Sequence, residues 1–206
     1  TKPDRDRGVP ILRISALRPL SLDMSDVRYL DRTFDVGPFT LAPGDILFTR
    51  YNGNAELVGS CAVVSEDPGP LTYPDKLIRV RVVADLIIPE CIAIMATSGI
   101  TRRLIREHSK SAAGQVGISG SDLRSIPIPV PPNEEQQEIA SKVAGIIQAA
   151  GRYELEREQA ALTLTTLHQS ILAKAFRGEL VPQDPDDEPA SVLLERIRKE
   201  REAAGG

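Results

Sequence analysis

Apolar residues in the first two-thirds of the chain come in short runs separated by turn formers. Residues 11–14, 45–50, 57–65 and 77–83 are such runs. In the last, Leu-Ile-Arg-Val-Arg-Val-Val, apolar and basic positions alternate, as in a strand with one wet face. Pro43-Gly44 is a turn entering the second run. Tyr51-Asn52-Gly53-Asn54 is a tight turn in which Asn and Gly accept positive φ, and Asp67-Pro68-Gly69-Pro70 is a loop. Residues 89–106 have helical spacing in two pieces interrupted near Ser98 and Gly99. Gly114, Gly117 and Gly120 mark a loop, after which Ser119 or Ser121 caps a short turn reaching Arg124. Residues 126–132, Ile-Pro-Ile-Pro-Val-Pro-Pro, lack too many backbone donors for a helix or a central strand. They form an extended connector and the domain boundary.

Beyond the connector the period changes. Asn133 is a good N-cap with Gln136 three residues on, the pattern of a capping box, and Glu134 and Glu135 fall where the helix dipole favours acids. No proline follows until Pro182, so residues 134–176 are expected to be one helix of about 65 Å at about 1.5 Å per residue. Alternate steps of four and three from Ile139 meet Val143, Ile146, Ala150, Tyr153, Arg157, Ala160, Leu164, Leu167, Ile171 and Lys174, and nine of these eleven positions are apolar. That is a coiled-coil seam, with Ile139, Val143, Ile146, Tyr153, Leu164, Leu167 and Ile171 as its helix-pairing residues. Gly178 stops the helix as a C′ residue. An acidic, proline-bounded linker over 182–189 then leads to a short amphipathic segment at 191–202. The expected architecture is α+β: a globular domain over 1–132, a long projecting spacer helix over 133–178, and an acidic linker with a short helix over 179–206.

Composition narrows the function. The 206 residues are 41% hydrophobic, enough for a real core, and 4% aromatic without Trp, too few for a surface built on base stacking. The longest apolar run, 86–96, is broken by Pro89-Glu90 and is too short for a bilayer, and the charged first residues make no secretory signal. With only Cys61 and Cys91, the chain reads as cytoplasmic, its thiols packed as small hydrophobes. The net charge of −4 disfavours a nucleic-acid partner until the chain is divided. Residues 1–132 carry 16 Lys and Arg against 15 Asp and Glu, whereas 133–206 carry 9 against 14, so the acid lies mostly in the last third. A local basic patch suffices to hold DNA phosphates.

Catalytic chemistry is not legible. His108 and His168 are far apart and neither stands near a Cys at metal-ligand spacing, so no metal and no cofactor are expected. The stretch from Gly114 to Gly120 lacks the strand and the Lys-Ser/Thr ending of a phosphate-binding loop. No nucleophile has a base partner, and the chain is read as a non-enzyme.

Three stretches carry a resemblance. They are residues 41–50 (Leu-Ala-Pro-Gly-Asp-Ile-Leu-Phe-Thr-Arg), 126–139 (Ile-Pro-Ile-Pro-Val-Pro-Pro-Asn-Glu-Glu-Gln-Gln-Glu-Ile) and 167–183 (Leu-His-Gln-Ser-Ile-Leu-Ala-Lys-Ala-Phe-Arg-Gly-Glu-Leu-Val-Pro-Gln). In order and spacing they resemble the DNA-specificity subunit of type I restriction-modification systems. The resemblance implies a non-catalytic subunit whose target recognition domain reads one half of a bipartite double-stranded DNA site. It also implies that the long helix sets the half-site separation, that methyltransferase subunits dock on the protein, and that a restriction subunit completes the complex. Full subunits of this family carry two recognition domains and two long helices. One of each here suggests a C-terminal fragment or a half-size subunit whose helix pairs with a second copy or with the missing half. A protein-only coiled-coil scaffold, and the recognition domain of a single-chain restriction-methyltransferase, are the alternatives.

The candidate DNA contacts follow. Arg50, Tyr51, Asn52 and Asn54 come first: an Arg fork suits guanine or phosphate, an Asn amide suits adenine, and Gly53 permits close approach. An ordinary hairpin turn with a surface Arg is the competing meaning. Gln115 and Ser119 in the Gly-rich stretch come second. Lys76, Arg102, Arg103 and Lys110 are candidates for phosphates, with solvated surface charge as the competing meaning of each.

Overall fold

The computed structural model of the chain describes residues 8–83, 86–112, 114–181, 186 and 188–204. It forms two units, 1–147 and 148–206. In chain order the strands are β1 (Gly8–Leu12), β2 (Leu17–Arg18), β3 (Ser21–Leu22), β4 (Val27–Asp31), β5 (Ile46–Thr49), β6 (Tyr51–Asn52), β7 (Cys61–Val63), β8 (Leu77–Val80), β9 (Lys110–Ala112) and β10 (Gln115–Gly117). The helices are α1 (Pro89–Thr97), α2 (Gly99–His108), α3 (Gly120–Ser125), α4 (Asn133–Phe176) and α5 (Ala190–Ala204). The expected class, mixed α and β followed by a long helix, is what the structure has.

β5 organises the first unit. It lies between β7 and β8, antiparallel to both, and all four of its residues are buried. Alternate side chains of a strand face opposite ways. Leu47 accordingly packs with Leu12, Ala62 and Leu77 on one side, while Ile46 and Phe48 pack with Cys61, Ile92 and Ala96 on the other. The turn before β5 closes on itself: Gly44 takes φ +83°, the Asp45 amide donates to the Ala42 carbonyl, and the Asp45 carboxylate accepts from the Ala42 amide at 2.9 Å. Asp45 is only 2% exposed, and it is matched by Arg81 Nε at 2.5 Å, with Arg79 at 4.0 Å. The Pro-Gly-Asp stretch is thus a turn with a buried ion pair, which holds β8 to the start of β5.

The interruption at Ser98 is where the helix breaks: Ser98 leaves α1 and caps α2, its Oγ accepting from the Thr101 amide. Gly59, at φ +69°, lets the chain pass against Ile105 of α2, where a Cβ would lie 2.6 Å from Ile105 Cγ2.

Three local expectations are revised and one strand is added. The Gly114–Gly117 loop is the β9–β10 hairpin, turning at Gly114 with φ +77°. The expected strand over 57–65 is shorter, a 3-10 turn at Ala55–Leu57 followed by β7. The 51–54 turn begins with β6. β4, unforeseen because Val-Arg-Tyr-Leu-Asp shows little contrast between its faces, pairs with β1. The 126–132 connector has no regular structure, and Gly178 at φ +69° ends α4 with the Glu179 amide donating to the Lys174 carbonyl. The 182–189 linker call falls largely outside the described residues.

Along α4, Ile146 near the end of the first unit and Tyr153, Leu164, Leu167 and Ile171 in the second are each at least 46% exposed, and α5 bares Val192, Leu193 and Leu194. Ile139 and Val143, nearer the helix start, are half-buried.

Candidate nucleic-acid interface

The three-stranded antiparallel sheet β6-β10-β9 gathers residues that are distant in sequence. Its register sets Tyr51 opposite Gly117 and Gly117 opposite Lys110; Asn52 stands opposite Val116, and Val116 opposite Ser111. Directly paired residues share a face, so Tyr51, Gly117, Gln115 and Lys110 lie on one side of the sheet. The other side, with Val116, packs on the cluster of Val58, Ile105 and Ile118. The first side is therefore the outward one. Gly117 is required on it, because a Cβ there would collide with the Tyr51 ring and stand 3.1 Å from the Arg50 carbonyl oxygen.

Arg50 is half-buried beside this face, its guanidinium carbon 4.9 Å from the Tyr51 ring centroid. Its backbone is fixed twice: its amide donates to Lys76, and its carbonyl accepts from Ile118. The side chain is less well satisfied. Nη1 lies a long 3.5 Å from the Asp75 carbonyl, and Nε is buried with no hydrogen-bond partner. Gln115 is exposed, and the Lys110 side chain is 83% exposed, its Nζ 4.0 Å from Asp122.

The remaining candidates divide. Asn52 accepts the Asn54 amide at 2.9 Å and Asn54 accepts the Glu56 amide at 3.0 Å, so both side-chain carbonyls shape the turn, and Asn52 stands on the Val116 side of the sheet rather than on the outward face. Ser119 caps α3, taking the Asp122 amide at 3.0 Å and donating to the Asp122 carboxylate at 2.6 Å. That bond, with help from Lys110, holds the Asp122 carboxyl below its ordinary range. Arg102 donates to the carbonyls of Val58 and Glu56, both at 2.7 Å, and burial lowers its pKa. Its guanidinium staples the 55–58 turn to α2. Arg103 is 67% exposed and 3.9 Å from Glu107 on the same helix face. Lys76 lies beside Arg50 through the backbone bond already given.

Sequence reading missed the office of Gln136. Its side chain does not close a capping box: Oε1 accepts the Ile88 amide at 2.8 Å, and Nε2 donates to the carbonyls of Pro131 and Leu86 at 2.9 and 3.2 Å. The residue is 1% exposed. It joins the start of α4 to the segment entering α1, 48 residues earlier in the chain, and no local pattern signals such a contact.

No cluster of His, Cys, Asp and Glu among the described residues could hold a metal ion, and no helix among them is long and apolar enough to cross a membrane.

Residues 35–157 match the family of the type I restriction modification DNA specificity domain. The chain belongs to this family. Among its relatives, the EcoKI specificity subunit of Escherichia coli strain K12 is 42% identical over 209 residues, which cover 97% of this chain and 45% of that subunit. The StySPI specificity subunit of Salmonella potsdam is 32% identical over 176 residues, covering 82% and 38%. This specificity domain therefore spans somewhat under half the length of those relatives. The HsdS subunit of Thermoanaerobacter tengcongensis shares its fold, with a TM-score of 0.59 and 19% identity over 88% of this chain and 45% of that one. A second solved chain, described for complex assembly and conformational transition of the type I R-M system, gives a TM-score of 0.59 at 23% identity over 87% and 43%.

Proposed function

We propose that this specificity domain reads one half of a two-part double-stranded DNA target in a cytoplasmic type I restriction-modification complex, without catalytic chemistry of its own. The observation that supports this most is the register of β6-β10-β9, which puts Tyr51, Gln115 and Lys110 on one outward face beside the under-satisfied Arg50 fork. Arg and Gln are the side chains whose paired donors and acceptors fit guanine and adenine edges in the major groove. Lys110 and Arg103 hold phosphates, and Asn54 presents an amide donor at the rim. The seam of α4, from Ile146 to Ile171, pairs with the helix of a second copy or of the remaining part of a full subunit, and so spaces the two half-sites. Methyltransferase subunits dock on that assembly, and methyl transfer and cleavage belong to them and to the restriction subunit.

Selection of bound duplexes from a random pool, followed by fluorescence anisotropy on the winners, tests the reading. A recurring short sequence, lost in Arg50→Ala and relaxed at one position in Gln115→Ala, is expected. Binding that prefers no sequence, or none that weakens with salt, refutes it and leaves a protein-only scaffold. Light scattering of the chain with and without a methyltransferase subunit tests the helix: a dimer that takes up that subunit is expected, and a monomer that ignores it refutes the pairing.

A further inference from the structure

The β1–β4 hairpin carries cations that the interface above does not use. β1 and β4 pair so that Ile11 faces Arg28 and Pro10 faces Tyr29, and the segment 74–76 runs alongside: the Leu12 amide donates to Thr72, and Ile11 makes a parallel bridge to it. Between hairpin and segment lies an open groove of about 480 Å³ whose charged lining is Arg13, Arg28, Lys76 and Asp75. Arg13 is matched by Asp26 at 3.5 Å. Arg28 is exposed, and among the described residues neither its guanidinium nor the Lys76 ammonium has a hydrogen bond or an ion pair. Two uncommitted cations thus face one carboxylate, Asp75.

The groove adjoins a depression that reaches Arg50. Ile11, Pro74 and Asp75 line both, and Arg50 is tied by its backbone to Lys76. Arg28 on β4 and Lys76 just before β8 are held by paired backbone, and cations so placed suit the phosphates of a duplex, contacts that orient DNA without reading it.

We infer that the groove between β1, β4 and residues 74–76 is a phosphate-binding rail, in which Arg28 and Lys76 grip the DNA backbone while the β6-β10-β9 face reads bases. This rests on the DNA-reading function proposed above. Each phosphate neutralised steepens the fall of log K with log salt by about 0.9. Replacing both cations therefore flattens the slope by about 1.8, so that between about 50 and about 200 mM salt the parent loses about twelvefold more affinity than the variant.

The experiment is an anisotropy titration of short duplexes, matched and mismatched to the selected sequence, over that salt range. It uses the full chain, Arg28→Ala with Lys76→Ala, and Arg28→Lys with Lys76→Arg. The expected result is a flatter slope in the alanine pair, restored in the exchanged pair, with the matched-to-mismatched ratio unchanged in both. An alanine pair with the parent slope overturns the rail while leaving the reading face standing, and so does a pair that loses sequence preference together with affinity. A parent that binds no duplex overturns the DNA reading itself. Because neither side chain bonds to the rest of the protein, the thermal unfolding of all three proteins is expected to coincide.

Discussion

Gln136 gives a quantitative test of how the long helix is held to the domain that precedes it. Gln136→Met keeps nearly the same volume and removes all three hydrogen bonds. The Ile88 amide, which initiates α1, then loses its acceptor at a site where the glutamine itself was 1% exposed, and a buried donor without a partner costs about 1–3 kcal/mol. The Leu86 and Pro131 carbonyls lie nearer solvent and regain water, so each loss costs about 0.5–1.5 kcal/mol. Together these come to about 2–6 kcal/mol, so even the lower end is about thirtyfold in the opening equilibrium. Hydrogen exchange reads it at the amides concerned: protection of Ile88 and of the first turn of α4 is expected to drop at least about thirtyfold, with β5 and β7 unaffected. Gln136→Glu is expected to be at least as damaging at neutral pH, because the new carboxylate faces two carbonyls. It recovers partly as pH falls and the buried carboxyl, its pKa raised, takes up a proton it can donate. Protection of Ile88 within threefold of the parent in Gln136→Met would refute the idea that this side chain fastens α4 to the domain.

Other outcomes follow from the same geometry. Gly117→Ala drives a methyl group into the Tyr51 ring, so DNA affinity is expected to fall at least tenfold in anisotropy while far-ultraviolet circular dichroism stays native. Arg102→Met removes two charge-assisted bonds and leaves two carbonyls bare; at about 1.5–3 kcal/mol for a bond to a charged group, it is expected to lower the urea midpoint clearly, whereas Arg50→Ala changes DNA binding with little loss of stability. A larger stability loss in Arg50→Ala than in Arg102→Met would reverse those roles. Burial pushes the Cys61 thiol up to about 12, and the fraction ionised at pH 8 is about one in ten thousand. Alkylation of Cys61, followed by mass spectrometry, is therefore expected only under unfolding conditions.

Much of this molecule is written locally and needs no tertiary information. The proline connector, the break at Ser98, the stop at Gly178 and the 44-residue helix each depend on a backbone donor that is missing or a cap that lies within one turn, and these are properties of neighbouring residues. The apolar spacing along α4 was equally legible, since a period of three and four persists whatever the helix meets. What the local pattern left undecided is which side chains cooperate. Gly114 and Gly117 suggested a loop, and the chain made a hairpin there, because Val116 could bury itself against Ile105 and Ile118 only as part of a sheet. That pairing brought Gln115 and Lys110 beside Tyr51, more than fifty positions away, onto one face. Arg102 and Arg103 are neighbours with the same charge in sequence, and only the approach of residues 56–58 separates a half-buried staple from an exposed cation. Gln136 followed a capping pattern, yet the desolvated Ile88 amide offered a better partner than solvent-exposed backbone at the helix start. A residue's intrinsic preferences act over a few bonds and can be read from its neighbours; hydrogen-bond partners across the fold are chosen by what burial leaves unsatisfied, and burial is decided by the whole chain.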